Sequence, residues 1–360
     1  MKTYLRLTAA AGLRQSSGYL PTTFTNFFEK RSQYLALSVI PQRLEDLKKT
    51  TDELHFTAKG RKAMKQKRIT TSLIISIPTF FCWLSMATVM AQPMGSRSAT
   101  AASYIERGTT WLNKGKLKQA LADFDLAIAS DPTLPDGYNS RGIAWWNLKD
   151  YERAAADFSQ AIKLDPHFAE AYLNRGKARY WMGDLDGSIS DSERSIELNP
   201  KNAAGWYIRG LARNSKQDFR GALEDFNRAI EINPRDAEVF SCRGMTWLNL
   251  GDVDRAIGDQ TRAIGLAPKQ SLAWSERGIA WKTKGNLKGA EADLSHAIEL
   301  NPELAPAWME RGVVRLMLGR EGEAQQDFNQ CLILDRNLRR PLEQLIRETK
   351  GQIAGRNRTH

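Results

Sequence analysis

The sequence predicts an all-α solenoid made of seven consecutive two-helix units and one C-terminal capping helix. Three observations predict it. Arg-Gly recurs every 34 residues, at Arg107-Gly108, Arg141-Gly142, Arg175-Gly176, Arg209-Gly210, Arg243-Gly244, Arg277-Gly278 and Arg311-Gly312. A proline keeps the same interval at Pro132, Pro166, Pro200, Pro234, Pro268 and Pro302. No residue is inserted or lost across residues 101–338, so one small structural unit is stacked many times and function belongs to a shared surface.

The elements before the repeats come first. Residues 1–63 read as a leader, disordered or not translated, with Met1 and Met64 both open as the start. Residues 69–91 carry no charge. A helix of that length spans about 35 Å, enough for a hydrocarbon core of roughly 30 Å. Lys59, Arg61, Lys62, Lys65, Lys67 and Arg68 precede it, and only Arg97 follows before the repeats. That asymmetry sets the leader inside a membrane and the repeats outside. Segment 64–91 also has the anatomy of a signal peptide, with Val89-Met90-Ala91 as a small-x-small cleavage site before Gln92. Cleaved signal and retained anchor are both open. An organelle-targeting leader is open too, since residues 1–28 contain no acidic residue. Residues 92–100 read as a linker.

With proline at unit position 32, the units are 101–134, 135–168, 169–202, 203–236, 237–270, 271–304 and 305–338. Position 4 is always aromatic, position 8 always Gly, and position 20 Ala except Ser188. Position 27 is Ala except Ser195 and Cys331. Positions 4, 8 and 11–12, and again 17, 20, 24, 27 and 28, recur at helical spacing, which predicts two helices near positions 1–14 and 18–31. Gly115, Gly183, Gly251, Gly285 and Gly319 mark the turn between them, where a left-handed residue ends the first helix. Asp or Asn usually precedes the proline, which stops the second helix.

After the last unit, Pro341 opens a helix over 339–351 with Leu342, Leu345 and Ile346 on one face, and Gly351 ends it. It covers the apolar end that a terminal repeat exposes. Residues 352–360 are expected to be a disordered tail.

These positions resemble the tetratricopeptide repeat, with its aromatic-4, Gly-8, Ala-20, aromatic-24, Ala-27 and Pro-32 signature. Phe124, Phe158, Phe226 and Phe328 keep position 24, whereas Ser192, Gln260 and Leu294 depart from it. The resemblance covers about two thirds of the chain. It implies a right-handed superhelical solenoid and a scaffold for protein partners, without naming the partner.

Position 7 is Arg and position 23 is Asp in all seven units. The rows include Arg141 with Asp157, Arg175 with Asp191, and Arg209 with Asp225. A row of guanidiniums alone repels itself, so the matching carboxylates predict Arg–Asp pairs that orient the helices. A basic spine that binds phosphate is the alternative.

Charge and rare residues exclude other classes. Of the net +11, residues 1–91 hold 14 Lys+Arg against 5 Asp+Glu and residues 336–360 hold 7 against 2, leaving 31 against 34 for 92–335. The array is nearly neutral, which argues against nucleic-acid binding. The basic tail reads as a solvated end or as a contact to an anionic surface. Cys242 and Cys331 fall in units five and seven and cannot meet in a stack of nearest neighbours, so no disulfide is expected. Cys242 is a packing residue or a reactive thiol. His55, His167, His296 and His360 show no metal-ligand spacing and no nucleophile–base set. No enzyme, metal or cofactor is expected.

The resemblance also implies that the first helices line a concave groove, through positions 2, 5, 6, 9, 12 and 13. In units two to four these include Asn139, Ile143, Trp146, Asn174, Lys177, Tyr180, Trp181, Tyr207 and Leu211. Trp146 and Trp181 are either anchors for a bound peptide or packing between adjacent helices. Chaperone-tail receptors of the family carry Lys at position 5 and Asn at position 9. Here those positions hold Asn139, Leu173 and Tyr207, and Ile143, Lys177 and Leu211, so that clamp is missing. Asp136, Glu170, Glu238, Glu276 and Glu310 outnumber Lys177 and Lys282, which points to an apolar or mildly basic peptide segment as ligand. The expected function is a non-catalytic protein-binding scaffold outside the cytoplasmic membrane. The alternatives are a membrane-anchored assembly or tethering subunit, or an accessory module of an enzyme complex. If the signal is cleaved, the mature chain begins at Gln92. N-terminal sequencing of protein recovered from its host checks this, and a retained segment 69–91 would select the anchor.

Overall fold

Each unit folds as two antiparallel helices because its apolar positions return at helical spacing twice, with a chain reversal between. The computed structural model describes residues 94–356; the leader, segment 64–91 and the last four residues lie outside the described residues. The helix pairs are α1 Met94–Asn113 with α2 Leu117–Ser130, α3 Pro135–Asn147 with α4 Tyr151–Leu164, and α5 Ala169–Trp181 with α6 Leu185–Leu198. They continue as α7 Ala203–Ser215 with α8 Phe219–Ile232, α9 Ala237–Asn249 with α10 Val253–Leu266, α11 Ser271–Lys284 with α12 Leu287–Leu300, and α13 Ala305–Met317 with α14 Glu321–Leu334. A single 3-10 turn, Arg336–Leu338, leads into α15 Arg339–Arg356. Every described regular element is helical, and the chain is an all-α solenoid.

The turns have local chemical causes. All seven residues at position 15 have positive φ, including Lys149 (62°) and Gln217 (65°), where the sequence offers no glycine. One residue later, Asp150, Asp184, Asp218, Asp252 and Asn286 accept the backbone N–H three residues on and cap the second helix. The end units carry Lys116 and Arg320 there, with no side-chain cap. Before the proline, Asp131, Asp165, Asn233 and Asn301 accept the N–H two residues on, in turns that bridge the proline's missing donor.

Packing explains the rest of the signature. A Cβ on Gly142 would lie 2.6 Å from the Phe158 ring, and one on Gly210 2.7 Å from the Phe226 ring. Gly-8 is therefore the seat of the position-24 side chain, and a methyl group there has no room. Phe124, Phe158 and Phe226 are fully buried beside Ala120, Ala154 and Ala222. Unit three departs: Ser188, Ser192 and Ser195 are buried in its second helix, and their hydroxyls have no hydrogen-bond partner.

The boundaries differ from expectation at both ends. The described residues 94–100 of the expected linker 92–100 are helical, continuous with the first repeat helix through Asn113. At the other end α15 runs through Gly351 to Arg356, beyond the expected 339–351. Gly351 lacks the positive φ of a helix stop, and Ile353 joins Leu342, Leu345 and Ile346 against Val313, Leu316 and Phe328. The expected disordered tail 352–360 thus starts too early.

The left-handed residues at position 15 carry a testable cost. Lys149→Gly and Gln217→Gly each relieve a side chain held at positive φ and are expected to stabilise the array by about 1 kcal/mol. Gly251→Ala is expected to destabilise it by a similar amount. Urea melts of the three variants check the signs.

Candidate functional site

Two surfaces compete for a functional role: the arginine row and the wall of first helices. The arginine row is consumed by structure. In all seven units Arg-7 donates to Asp-23, as in Arg141 to Asp157 (2.8 and 2.8 Å), Arg175 to Asp191 (2.8 and 2.7 Å) and Arg209 to Asp225 (2.7 Å at the shortest). The pairs Arg107–Asp123, Arg243–Asp259, Arg277–Asp293 and Arg311–Asp327 repeat this. The same guanidinium lies over the aromatic ring of position 4, 4.8 Å away for Arg311 and Trp308 and 5.8 Å for Arg141 and Tyr138.

Its remaining nitrogen reaches back to position 25 of the preceding unit. Arg141 meets Asp125, Arg175 Ser159, Arg209 Glu193, Arg243 Asn227, Arg277 Thr261 and Arg311 Ser295. One side chain thus joins both helices of its unit and the unit before. Position 25 was missed at the sequence level, although its signal was present: it is always a polar residue with an acceptor oxygen.

Burial grades these nodes. Arg179, Arg213 and Arg315 place a second guanidinium on Asp191, Asp225 and Asp327. Those carboxylates are 1–3% exposed, against 5–8% where a single Arg serves. At Asp225 burial pushes the pKa up against the pull of Arg209 and Arg213. At the more accessible Asp123 the hydrogen bond from Arg107 holds it below the usual range. In units two to seven the row is engaged on both sides, whereas Arg107 in unit one pairs with Asp123 alone and its side chain is 56% exposed.

The inner wall is different. First helices touch their counterparts in adjacent units, α3 on α5 and α5 on α7, whereas second helices stand farther apart, so the stack curves with the first helices inside. Two lines of contact stitch this wall, each joining residues 35 apart. Along one, Asn174 donates to Asn139 (3.2 Å), Ser241 to Glu276, and Tyr207 meets Cys242 (3.6 Å). Along the other, Trp146 packs edge-on to Trp181 (centroids 6.3 Å) and Tyr180 meets Ser215 (3.3 Å).

Trp146 and Trp181 therefore pack on each other, yet both remain half-buried. Tyr151, from the second helix of unit two, stacks on Trp181 (5.8 Å) and tilts against Trp146 (5.0 Å). It completes an aromatic cluster that first-helix periodicity does not reveal. Between the two lines an open cleft of about 260 Å³ is lined by Ile143, Trp146, Asn147, Phe158, Asn174 and Lys177. Asn139 is buried, and Tyr207 and Leu211 pack around Phe226 of their own unit and Cys242 of unit five.

Three of the wall's five carboxylates are engaged by neighbouring side chains. Glu238 accepts from Tyr207 (2.6 Å), Glu276 is buried and accepts from Gln260 (2.8 Å), and Glu310 pairs with Lys282. Asp136 and Glu170 occupy first turns of helices, where the helix dipole favours a negative charge. Three of the five carboxylates counted toward an apolar or mildly basic ligand are thus engaged within the array, and Asp136 and Glu170 remain exposed. Among the described residues, no group of three or more His, Cys, Asp or Glu side chains is arranged to hold a metal ion.

Comparisons with known proteins agree with this architecture. Residues 147–183 match the family described as TPR repeat, and residues 177–237 and 215–271 match the one described as Tetratricopeptide repeat. No curated protein matches the sequence. Among solved structures, a chain of the APC/C hetero-tetramer Cut9-Hcn1 is 18% identical with a TM-score of 0.59; the match covers 76% of this chain and 52% of that one. This chain thus spans about half of that protein. A tetratricopeptide repeat protein from Parabacteroides merdae is 19% identical, covers 70% of this chain and 99% of its own, and has a TM-score of 0.56. Pseudomonas aeruginosa pilF is 15% identical, with 59% and 96% covered and a TM-score of 0.53. At these identities the likeness concerns the fold.

The graded nodes predict graded losses. Arg243→Met strands Asp259 and is expected to cost about 3 kcal/mol, the price of an unpaired buried charge. Arg209→Met is expected to cost less, because Arg213 stays on Asp225. Chemical denaturation of the two variants tests the order, and a larger loss for Arg209→Met would refute it.

Proposed function

Because the described chain folds as an all-α solenoid whose residues 147–271 match tetratricopeptide-repeat models, we propose that this protein is a non-catalytic scaffold that binds a peptide or helix of a partner protein on the inner wall of units two to four. Tetratricopeptide repeats serve as protein-protein interaction scaffolds. The observation that carries the finer reading is the cleft beside Trp146 and Trp181: concave, mainly apolar, and edged by half-buried aromatic rings. The anchored side chains of the ligand are apolar, matching Ile143, Trp146 and Phe158.

The array is displayed outside the cytoplasmic membrane in this proposal. The uncharged stretch 69–91 with basic residues on its N-terminal side supports that orientation. Among the described residues no helix is long and apolar enough to cross a membrane, and segment 69–91 lies outside them. Retention of that segment would make the protein a membrane-anchored tethering subunit with the same inner wall. Trp146→Ala combined with Trp181→Ala is expected to reduce partner capture from an envelope extract at least tenfold, on the order of 1.4 kcal/mol or more. Unchanged recovery of every partner, measured by quantitative mass spectrometry, would remove the inner-wall reading.

A further inference from the structure

We infer that the cleft of units two and three takes a peptide segment carrying one Asp or Glu side chain, whose carboxylate seats on Lys177 while apolar side chains on either side cover Ile143 and Leu211. The inference rests on the inner-wall reading above and assigns the ligand's charge and register. Position 9 runs along the middle of the wall as Thr109, Ile143, Lys177, Leu211, Met245, Ile279 and Val313. Lys177 is the single charge in this otherwise nearly apolar row, and it lines the cleft itself.

Of the other wall charges, Lys282 pairs with Glu310 and Glu238 and Glu276 accept hydrogen bonds from neighbouring helices, while Asp136 and Glu170 stay exposed in the first turns of their helices. Among the described residues no hydrogen bond or ion pair to Lys177 is formed. Its surroundings desolvate the ammonium and lower its pKa, with only the more distant charge of Glu170 opposing. An ammonium drawn out of water beside Trp146 and Phe158 gains most from an anionic acceptor that enters the same cleft.

Charge complementarity also decides the occupant. The chain's own ends suit the cleft poorly, because residues 1–91 and 336–360 are both strongly basic. The row continues past Lys177 in both directions, so a ligand that covers Ile143 and Leu211 together must pass through, and its carboxylate is a side chain and not a chain terminus.

The test is a selection of random dodecapeptides, fused through their C-termini to a phage coat protein, on the immobilised full chain. Wild type is expected to enrich peptides that combine Leu, Ile, Phe or Trp with one Asp or Glu. Lys177→Met, which keeps the length of the side chain, is expected to lose the acidic preference and to bind the selected peptide, made as its amide, about tenfold more weakly. Lys177→Glu is expected to reverse the preference toward Lys and Arg. Apolar binders without acidic enrichment, an unchanged preference in Lys177→Met, or binding that requires a free C-terminal carboxylate would each overturn the inference while sparing the wall as a docking surface. Selected peptides bound equally well by Trp146→Ala with Trp181→Ala would remove the wall itself.

Discussion

The architecture depends on one guanidinium per unit. Arg-7 sits on the first helix, grips Asp-23 on the second with two parallel hydrogen bonds, lies over the aromatic ring of position 4 and reaches position 25 of the preceding unit. Lysine cannot replace it, since a single ammonium lacks the planar fork that serves both directions. The buried charge is tolerable because the lone pairs of Asp-23 and most donors of Arg-7 are satisfied together. The strict 34-residue register follows: a single insertion would separate the guanidinium from the acceptor in the unit before it.

Around that node the apolar signature fills space. The position-24 ring rests on Gly-8, and small residues at 20 and 27 let the helices close over it. Where the first helices carry Trp at position 4, the indole N–H donates to the carbonyl of the preceding proline, as Trp206 does to Pro200 (3.1 Å) and Trp274 to Pro268 (2.8 Å). Units four, six and seven are thereby tied to their predecessors twice, once through the guanidinium and once through the indole. Such nearest-neighbour ties suit a solenoid, in which stability accumulates from interfaces between adjacent units. The capping helix α15 continues the pattern, laying its apolar face where an eighth unit would have packed.

With the repeated polar residues committed to architecture, the inner wall is where the units differ. Units two and three concentrate aromatic rings there, and unit three places Lys177 in a row whose neighbours are apolar. Units five and six bury a Ser241–Glu276–Gln260 cluster at the corresponding place and present no comparable aromatic pair. The wall is therefore chemically uneven along its length. A bound chain would meet an aromatic and cationic section near the N-terminal end and a plainer one farther on.

The amino-acid sequence determined the helices, the seven-fold register and the partnership of Arg-7 with Asp-23, because each leaves a periodic mark on the chain. The family resemblance assigned the expected groove residues of units two to four to the first helices. Tertiary structure decided what periodicity cannot encode. Whether Trp146 and Trp181 stand apart or touch, whether Tyr151 joins them from another helix, and which carboxylates are already occupied are relations between residues of different units. The outcome for charge has the same origin. Counting acidic residues on the wall pointed to an apolar or mildly basic ligand, but charge acts through its partners, and the packed helices show that Glu238, Glu276 and Glu310 are engaged while Lys177 lines the cleft.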